Sequence, residues 1–263
     1  MANELHIPTM AELVAKGETA DILFWVGCAG SFDERAQRIT RDICKILHHV
    51  GLNYAILGTE ENCTGDPAKR AGNEFLFQMQ AMMNIQVLNG YGVQKIVTAC
   101  PHCFNTLKNE YPELGGNYEV VHHSQLIQDL IEKGKLTVEG GEFKGKKITF
   151  HDPCYLGRAN DVYEAPREVI EKLDVELTEL KRSRAKGFCC GAGGAQMFKE
   201  AEKGDREVNH ERAEEALSVN PDVIAVGCPF CNTMMTDGVK KFEKEDSVKV
   251  LDIAEMIAQA QDL

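Results

Sequence analysis

Ten cysteines in 263 residues are the part of this sequence best able to do chemistry. Two segments have the form Cys-Pro-x-Cys, namely Cys100-Pro101-His102-Cys103 and Cys228-Pro229-Phe230-Cys231; a third, Cys189-Cys190-Gly191, has two cysteines side by side. Two residues between cysteines let both sulfurs reach one metal centre from the start of a helix. There the free backbone N–H groups and the helix dipole favour thiolate. Proline at the first helical position sacrifices no hydrogen bond. Adjacent cysteines chelate a single tetrahedral ion awkwardly; they suit an assembly of several metals, where each sulfur meets a different iron or one sulfur bridges two. Gly191, Gly193 and Gly194 then let the backbone come close and aim N–H groups at sulfurs.

The elements that position these cysteines are duplicated. Cys28 and Cys63 recur after 126 residues (28 to 154, 63 to 189), and Cys100 and Cys103 recur after 128 (100 to 228, 103 to 231). Each half thus carries a lone cysteine, a central cysteine and a Cys-x-x-Cys, with two residues inserted in the second. Residues 22–27 and 147–153 read as apolar strands ending at a cysteine, and residues 95–99 and 223–227 as buried strands running into Cys-Pro-x-Cys. Further strands are expected at 53–57, 118–122, 175–180 and 248–251, and helices at 35–50, 74–88 and 207–217. Alternating strands and helices predict an α/β fold: two pseudo-symmetric Rossmann-like halves with metal sites at the C-terminal ends of the strands. The expected divisions are a leader arm at residues 1–20, a first repeat at 21–134 and a second at 147–263, separated where Gly and Lys are dense.

Cys154, Cys189-Cys190-Gly191 and Cys228-Pro229-Phe230-Cys231, preceded by Cys28, Cys63-Thr64-Gly65 and Cys100-Pro101-His102-Cys103, resemble the CCG-domain family of cysteine-rich iron–sulfur proteins. That family includes a cysteine-rich component of heterodisulfide reductase and the iron–sulfur subunits of glycolate oxidase and of lactate utilisation. The resemblance covers nearly all of the chain after residue 20. It implies a [4Fe-4S] cluster, non-cubane in the best-understood members, on Cys154, Cys189, Cys190, Cys228 and Cys231. The first half departs from the pattern, because Thr64 stands where the second adjacent cysteine belongs. Cys28, Cys63, Cys100 and Cys103 suit a second iron–sulfur cluster or a structural Zn2+, and an empty relic is the remaining reading. The resemblance further implies electron transfer in an oxidoreductase with a flavin- or iron–sulfur-containing partner subunit. The acceptor it implies is a small disulfide or one linked to quinone.

Two other function classes fit the cysteines alone: a zinc-stabilised scaffold, and a metal-free thiol–disulfide oxidoreductase using the Cys-Pro-x-Cys segments. The second does not explain why distant cysteines keep register with a doubled tetrapeptide. A net charge of −12 argues against nucleic acid and anionic membrane surfaces. No apolar run reaches the roughly 20 residues of a membrane helix, and the N-terminus does not read as a secretion signal. A cytoplasmic location is expected, where cysteines serve as ligands or catalytic thiols in preference to disulfides. Gly191-Ala192-Gly193-Gly194 does not match a dinucleotide fingerprint, so a nucleotide or flavin site is not supported. His151, just before Cys154, is the candidate catalytic residue, placed to hydrogen-bond a sulfide or deliver a proton, beside a purely structural reading. His102 is expected to be exposed, and His48-His49 and His122-His123 to be structural. Cys44 has no counterpart and reads as a small core residue.

Overall fold

Each half of the repeat builds a four-stranded parallel sheet with the strand order 2-1-3-4. The computed structural model describes residues 5–200 and 203–263. The first sheet holds β1 (Ile22–Trp25), β2 (Tyr54–Ala55), β3 (Lys95–Thr98) and β4 (Glu119–His122); the second holds β5 (Lys147–Phe150), β6 (Glu176–Leu177), β7 (Val223–Val226) and β8 (Lys249–Asp252). The register repeats too: Leu23 lies beside Ile96 in the first sheet, and Thr149 beside Ile224 in the second. β1 and β7 are apolar and buried along their whole length, as parallel strands covered on both faces must be. The edge strands β2 and β6 are two residues each, shorter than the sequence pattern implied.

The first sheet is flanked by α1 (Met10–Ala15), α2 (Gly27–Phe32), α3 (Glu34–His49), α4 (Asp66–Arg70), α5 (Glu74–Gly90), α6 (Pro101–Asn105) and α7 (His123–Glu132). The second has α8 (Glu164–Glu171), α9 (Val208–Leu217), α10 (Pro229–Lys241) and α11 (Ile253–Ala260). The helix α3 shows why these segments fold as they do. Asp33 caps its first turn by accepting from the Ala36 N–H, and Ala36, Ile39, Ile43, Cys44 and Leu47 form one buried stripe at helical spacing. Cys44 is fully buried there, as expected.

Two findings differ from the sequence reading. Residues 1–4 of the expected leader arm lie outside the described residues, and the remainder is packed into the first half. Thr9 bridges to Ile56 in parallel, Met10 and Leu13 are buried, and Thr9 and Glu12 cap α1 reciprocally. The halves are also not separately cored. One apolar cluster joins Ile22 and Phe24 of the first sheet to Ile148 and Phe150 of the second, and it takes in Leu136 and Phe143 from the connector. The last helix of each half crosses over, α7 onto α8 and α11 onto α3. Arg35 of α3 forks onto Glu255 of α11, with Nη2–Oε2 at 2.7 Å, so a charged pair spans the boundary as well.

Candidate metal centres

In open α/β sheets ligands bind beyond the strand C-termini, where neighbouring connections diverge. With the order 2-1-3-4 that point falls between β1 and β3, and between β5 and β7. Cys28 and Cys100 follow β1 and β3; Cys154 and Cys228 follow β5 and β7. Cys100 caps α6 and Cys228 caps α10, each with proline next, so Cys103 and Cys231 sit in first helical turns as the spacing predicts.

The central cysteines lie in loops that turn on a glycine. Gly65 (φ +88°) and Gly191 (φ +94°) occupy left-handed backbone that other residues enter only with strain. That turn points each N–H back at the cysteine two residues before it: Gly65 to Cys63 Sγ at 3.5 Å, Gly191 to Cys189 Sγ at 3.2 Å. The loop of the first half is pinned further by Asn84, which donates to the Cys63 carbonyl, and by Tyr111, which donates to the Thr64 carbonyl. A Cβ at Gly193 would make only an ordinary contact with the His102 ring, at 3.6 Å, and Gly194 makes a second left-handed turn at φ +68°.

The loop cysteines share one plan in both halves, whereas Cys100 is lowered and its counterpart Cys228 is raised. A hydrogen bond from Cys28 lowers Cys63 to about 7, and bonds from Cys154 and Cys190 hold Cys189 far below the ordinary thiol range. Their partners Cys28 and Cys154 are pushed up correspondingly. The thiol of Cys103 holds Cys100 low, and Cys100 also interacts with Cys228 of the other half. In the second half Cys190 and Cys231 approach to 3.4 Å. At the matching place in the first half, Thr64 Oγ1 points at Cys103 Sγ from 3.8 Å. Thr64 therefore takes the position of the missing cysteine and offers an O–H donor in place of a ligand. The nine motif cysteines form one continuous set, Cys28–Cys63 and Cys100–Cys103 on one side and Cys154, Cys189, Cys190, Cys228 and Cys231 on the other, joined at Cys100 and Cys228.

Several polar residues hold this set, Glu61 among them without any signal in the local sequence. Glu61 accepts from the N–H groups of Val26 and Gly27, at 3.0 and 2.6 Å, directly before Cys28, and its burial raises its pKa to about 7. His122 Nε2 donates to the carbonyls of Ala99 and Gly227, at 3.2 and 3.1 Å, the residues that precede Cys100 and Cys228. Burial and the neighbouring His123 keep it neutral. His123 donates to Asp252 Oδ1 across the two halves at 3.0 Å. The structural reading of this histidine pair therefore fits the geometry, and the pair sits at the seam of the site. His102 is not exposed. It is 8% accessible, bonds Asp66 Oδ2 through Nδ1 at 2.9 Å, and stacks on Tyr155 with ring centres 4.3 Å apart. His151 is buried beside the second set: a ring nitrogen and the sulfurs of Cys190 and Cys231 all lie within 4.8 Å of one another. Its Nδ1 accepts from Arg212 Nε at 2.9 Å, which leaves Nε2 as the free ring nitrogen. Burial and the guanidinium of Arg212 lower its pKa to about 3.

The donor set fits an iron–sulfur group. It is made of soft cysteine sulfurs, five of the nine buried, with the N–H groups of Gly65 and Gly191 aimed at two of them. Five cysteines on one side exceed the four ligands that a structural zinc takes. These features define a duplicated, cysteine-rich α/β protein with paired thiolate centres at facing sheet ends. Residues 22–108 and 148–236 each match the CCG cysteine-rich domain, and the chain belongs to that family. It is 47% identical over 260 residues to a probable iron–sulfur-binding oxidoreductase, FadF, of Bacillus subtilis strain 168, covering 98% of this chain and 36% of that protein. It is 42% identical to an EtfAB:quinone oxidoreductase of Syntrophomonas wolfei, covering 99% and 37%. It is 33% identical to one component of the dihydromethanophenazine:CoB–CoM heterodisulfide reductase of Methanosarcina barkeri, covering 92% and 59%. The chain thus spans less than two thirds of each of these relatives. A crystal structure of a hypothetical protein from Helicobacter pylori shares the fold at TM-score 0.60 and 7% identity, covering 92% of this chain and 49% of that one. No helix among the described residues is long and apolar enough to cross a membrane.

Proposed function

We propose that the chain is an electron-transfer module of an oxidoreductase. It would hold an iron–sulfur cluster on Cys154, Cys189, Cys190, Cys228 and Cys231, and a second metal centre on Cys28, Cys63, Cys100 and Cys103. The observation that carries this reading is the single continuous set of nine cysteines at facing sheet ends. The names of the relatives, two of them quinone- or disulfide-linked reductases, support it. A cluster there would supply reversible one-electron storage.

The chain's own residues do the rest. The N–H groups of Gly65 and Gly191 stabilise thiolate, and helix starts at Pro101 and Pro229 add their dipoles. Glu61 and His122 hold the backbone on which Cys28, Cys100 and Cys228 stand. A protein working by one-electron exchange needs a partner that splits a hydride. We assign that role to a flavin- or iron–sulfur-containing subunit, with a quinone-linked or small disulfide acceptor. Ten unpaired cysteines point to a reducing compartment, the cytoplasm. Zinc in the first centre is the second reading, favoured by its four thiolates and the hydroxyl of Thr64.

Anaerobic purification with iron, sulfide and zinc analysis and electron paramagnetic resonance tests this, on wild type, Cys190→Ser and Thr64→Cys. Iron with matching sulfide in the wild type, reshaped or lost in Cys190→Ser, is the expected result. Iron together with zinc would assign zinc to the first centre. Zinc alone, with no sulfide after anaerobic reconstitution, would overturn the electron-transfer reading.

A further inference from the structure

We infer that Arg212 locks His151 as its Nε2–H tautomer, and that this N–H is a fixed donor to the second centre's sulfurs that raises its reduction potential. The inference rests on the iron–sulfur reading above and names a residue pair that adjusts it.

A guanidinium can only donate. Because Arg212 Nε donates to His151 Nδ1, that nitrogen must present its lone pair, and the neutral ring carries its proton on Nε2. Arg212 is itself held, since Nη1 donates to the Arg182 carbonyl at 2.9 Å and to Glu215 Oε2 at 3.0 Å. His151 is 1% accessible and its Nε2 has no hydrogen-bond partner among the described residues. An unmatched buried donor is costly, so the site needs an acceptor there. The sulfurs of Cys190 and Cys231 are the groups beside this ring.

The tautomer decides among three roles. A metal ligand at Nε2 would have to lose that proton. A proton shuttle would have to refill through Nδ1, which Arg212 blocks. A standing N–H donor requires neither change. Hydrogen bonds to cluster sulfur stabilise the more negative, reduced state, so the donor moves the potential upward.

The repeat shows what the first half lacks. The offsets of 126 and 128 that relate the cysteines carry His151 to Trp25 and Arg212 to Asn84. Neither replacement is charged, and Asn84 is spent on the Cys63 carbonyl. The second centre therefore has a charge-backed donor, whereas the first half offers the uncharged indole N–H of Trp25 and the hydroxyl of Thr64.

The test compares wild type with His151→Phe, His151→Gln and Arg212→Gln, each purified anaerobically with iron and sulfide counted. Potentials are titrated by electron paramagnetic resonance, and 15N-histidine labelling reports the coupling to the cluster. His151→Phe is expected to keep its iron and favour oxidation about tenfold, which is 59 mV downward for a one-electron couple. His151→Gln, which retains an N–H, should recover part of that shift, and Arg212→Gln should reproduce part of it. If His151→Phe does not accumulate folded, the other two variants decide alone. Weak nitrogen coupling in the wild type supports a donor. Strong coupling together with lost iron would make His151 a ligand and overturn the inference, as would potentials unmoved or raised in a loaded protein. Wild type without iron and sulfide would instead overturn the reading beneath it.

Discussion

Removing His122 should weaken the fold strongly at neutral pH and much less in mild acid. Its Nε2–H serves two buried carbonyls, those of Ala99 and Gly227, and joins the two halves at the cysteine loops. Leaving two buried acceptors unmatched costs about 1–3 kcal/mol each, so His122→Leu, which has no donor, should destabilise by about 3 kcal/mol at pH 7.5. The sign of the pH effect follows from its depressed pKa. The unfolded histidine binds a proton below its ordinary value of 6.5, whereas the folded one, buried beside His123, does not. Its contribution to stability is therefore intact above 6.5 and is lost as pH falls below it. Integrating one proton from pH 7.5 to 5 gives about 2 kcal/mol lost by the wild type and not by the variant. Glu61 and Glu255, raised by burial, act in the opposite direction, but they act in both proteins and cancel in the difference. The assay is urea unfolding of the reduced, chelator-treated chain at pH 7.5, 6.5 and 5, which keeps proton–metal competition out of the comparison. A penalty that is the same at all three pH values would refute the buried, neutral assignment.

Two further perturbations examine the seam between the halves. Arg35→Met leaves Glu255 buried without its partner and should cost about 2–3 kcal/mol, while Arg35→Met with Glu255→Leu should cost less than the single change; a double-mutant cycle on urea midpoints reads this. Phe143→Ala opens a cavity in the shared core and should cost about 3–5 kcal/mol. Because that core is common to both sheets, unfolding followed by Trp25 fluorescence and by circular dichroism should remain one coincident transition, and separated transitions would contradict a shared core.

What was legible in the sequence was whatever the repeat records twice. The offsets of 126 and 128 located the strand ends, and Cys-Pro-x-Cys announced two helix starts, both found where expected. Local periodicity could not show that α7 and α11 exchange partners, since an amphipathic helix does not say which sheet it covers. The connector, rich in Gly and Lys, looked like a boundary, yet Leu136 and Phe143 are buried in the common core. The polar residues of the site were the hardest to read. Glu61, His122 and Arg212 belong to types that normally face water, and only long-range packing gives each a buried partner.

The two centres share a backbone, so differences between them must come from side chains. Gly65 and Gly191 make the same turn and aim the same N–H at sulfur; Cys63 and Cys189 are the lowered thiols of their loops. Against that constancy stand three exchanges at repeat-related positions: Thr64 for Cys190, Trp25 for His151 and Asn84 for Arg212. The first removes a ligand and leaves a hydroxyl pointing at Cys103. The other two remove a charge-backed N–H. Thr64 and Trp25 keep an O–H and an N–H at these positions, so the first half loses a thiol and a charge while the cradle itself is kept. A scaffold that had merely decayed would have no reason to keep Thr64 in hydrogen-bonding geometry with Cys103, or to hold its loop with both Asn84 and Tyr111. The arrangement is that of two unequal cysteine sets on one symmetric frame, meeting at Cys100 and Cys228.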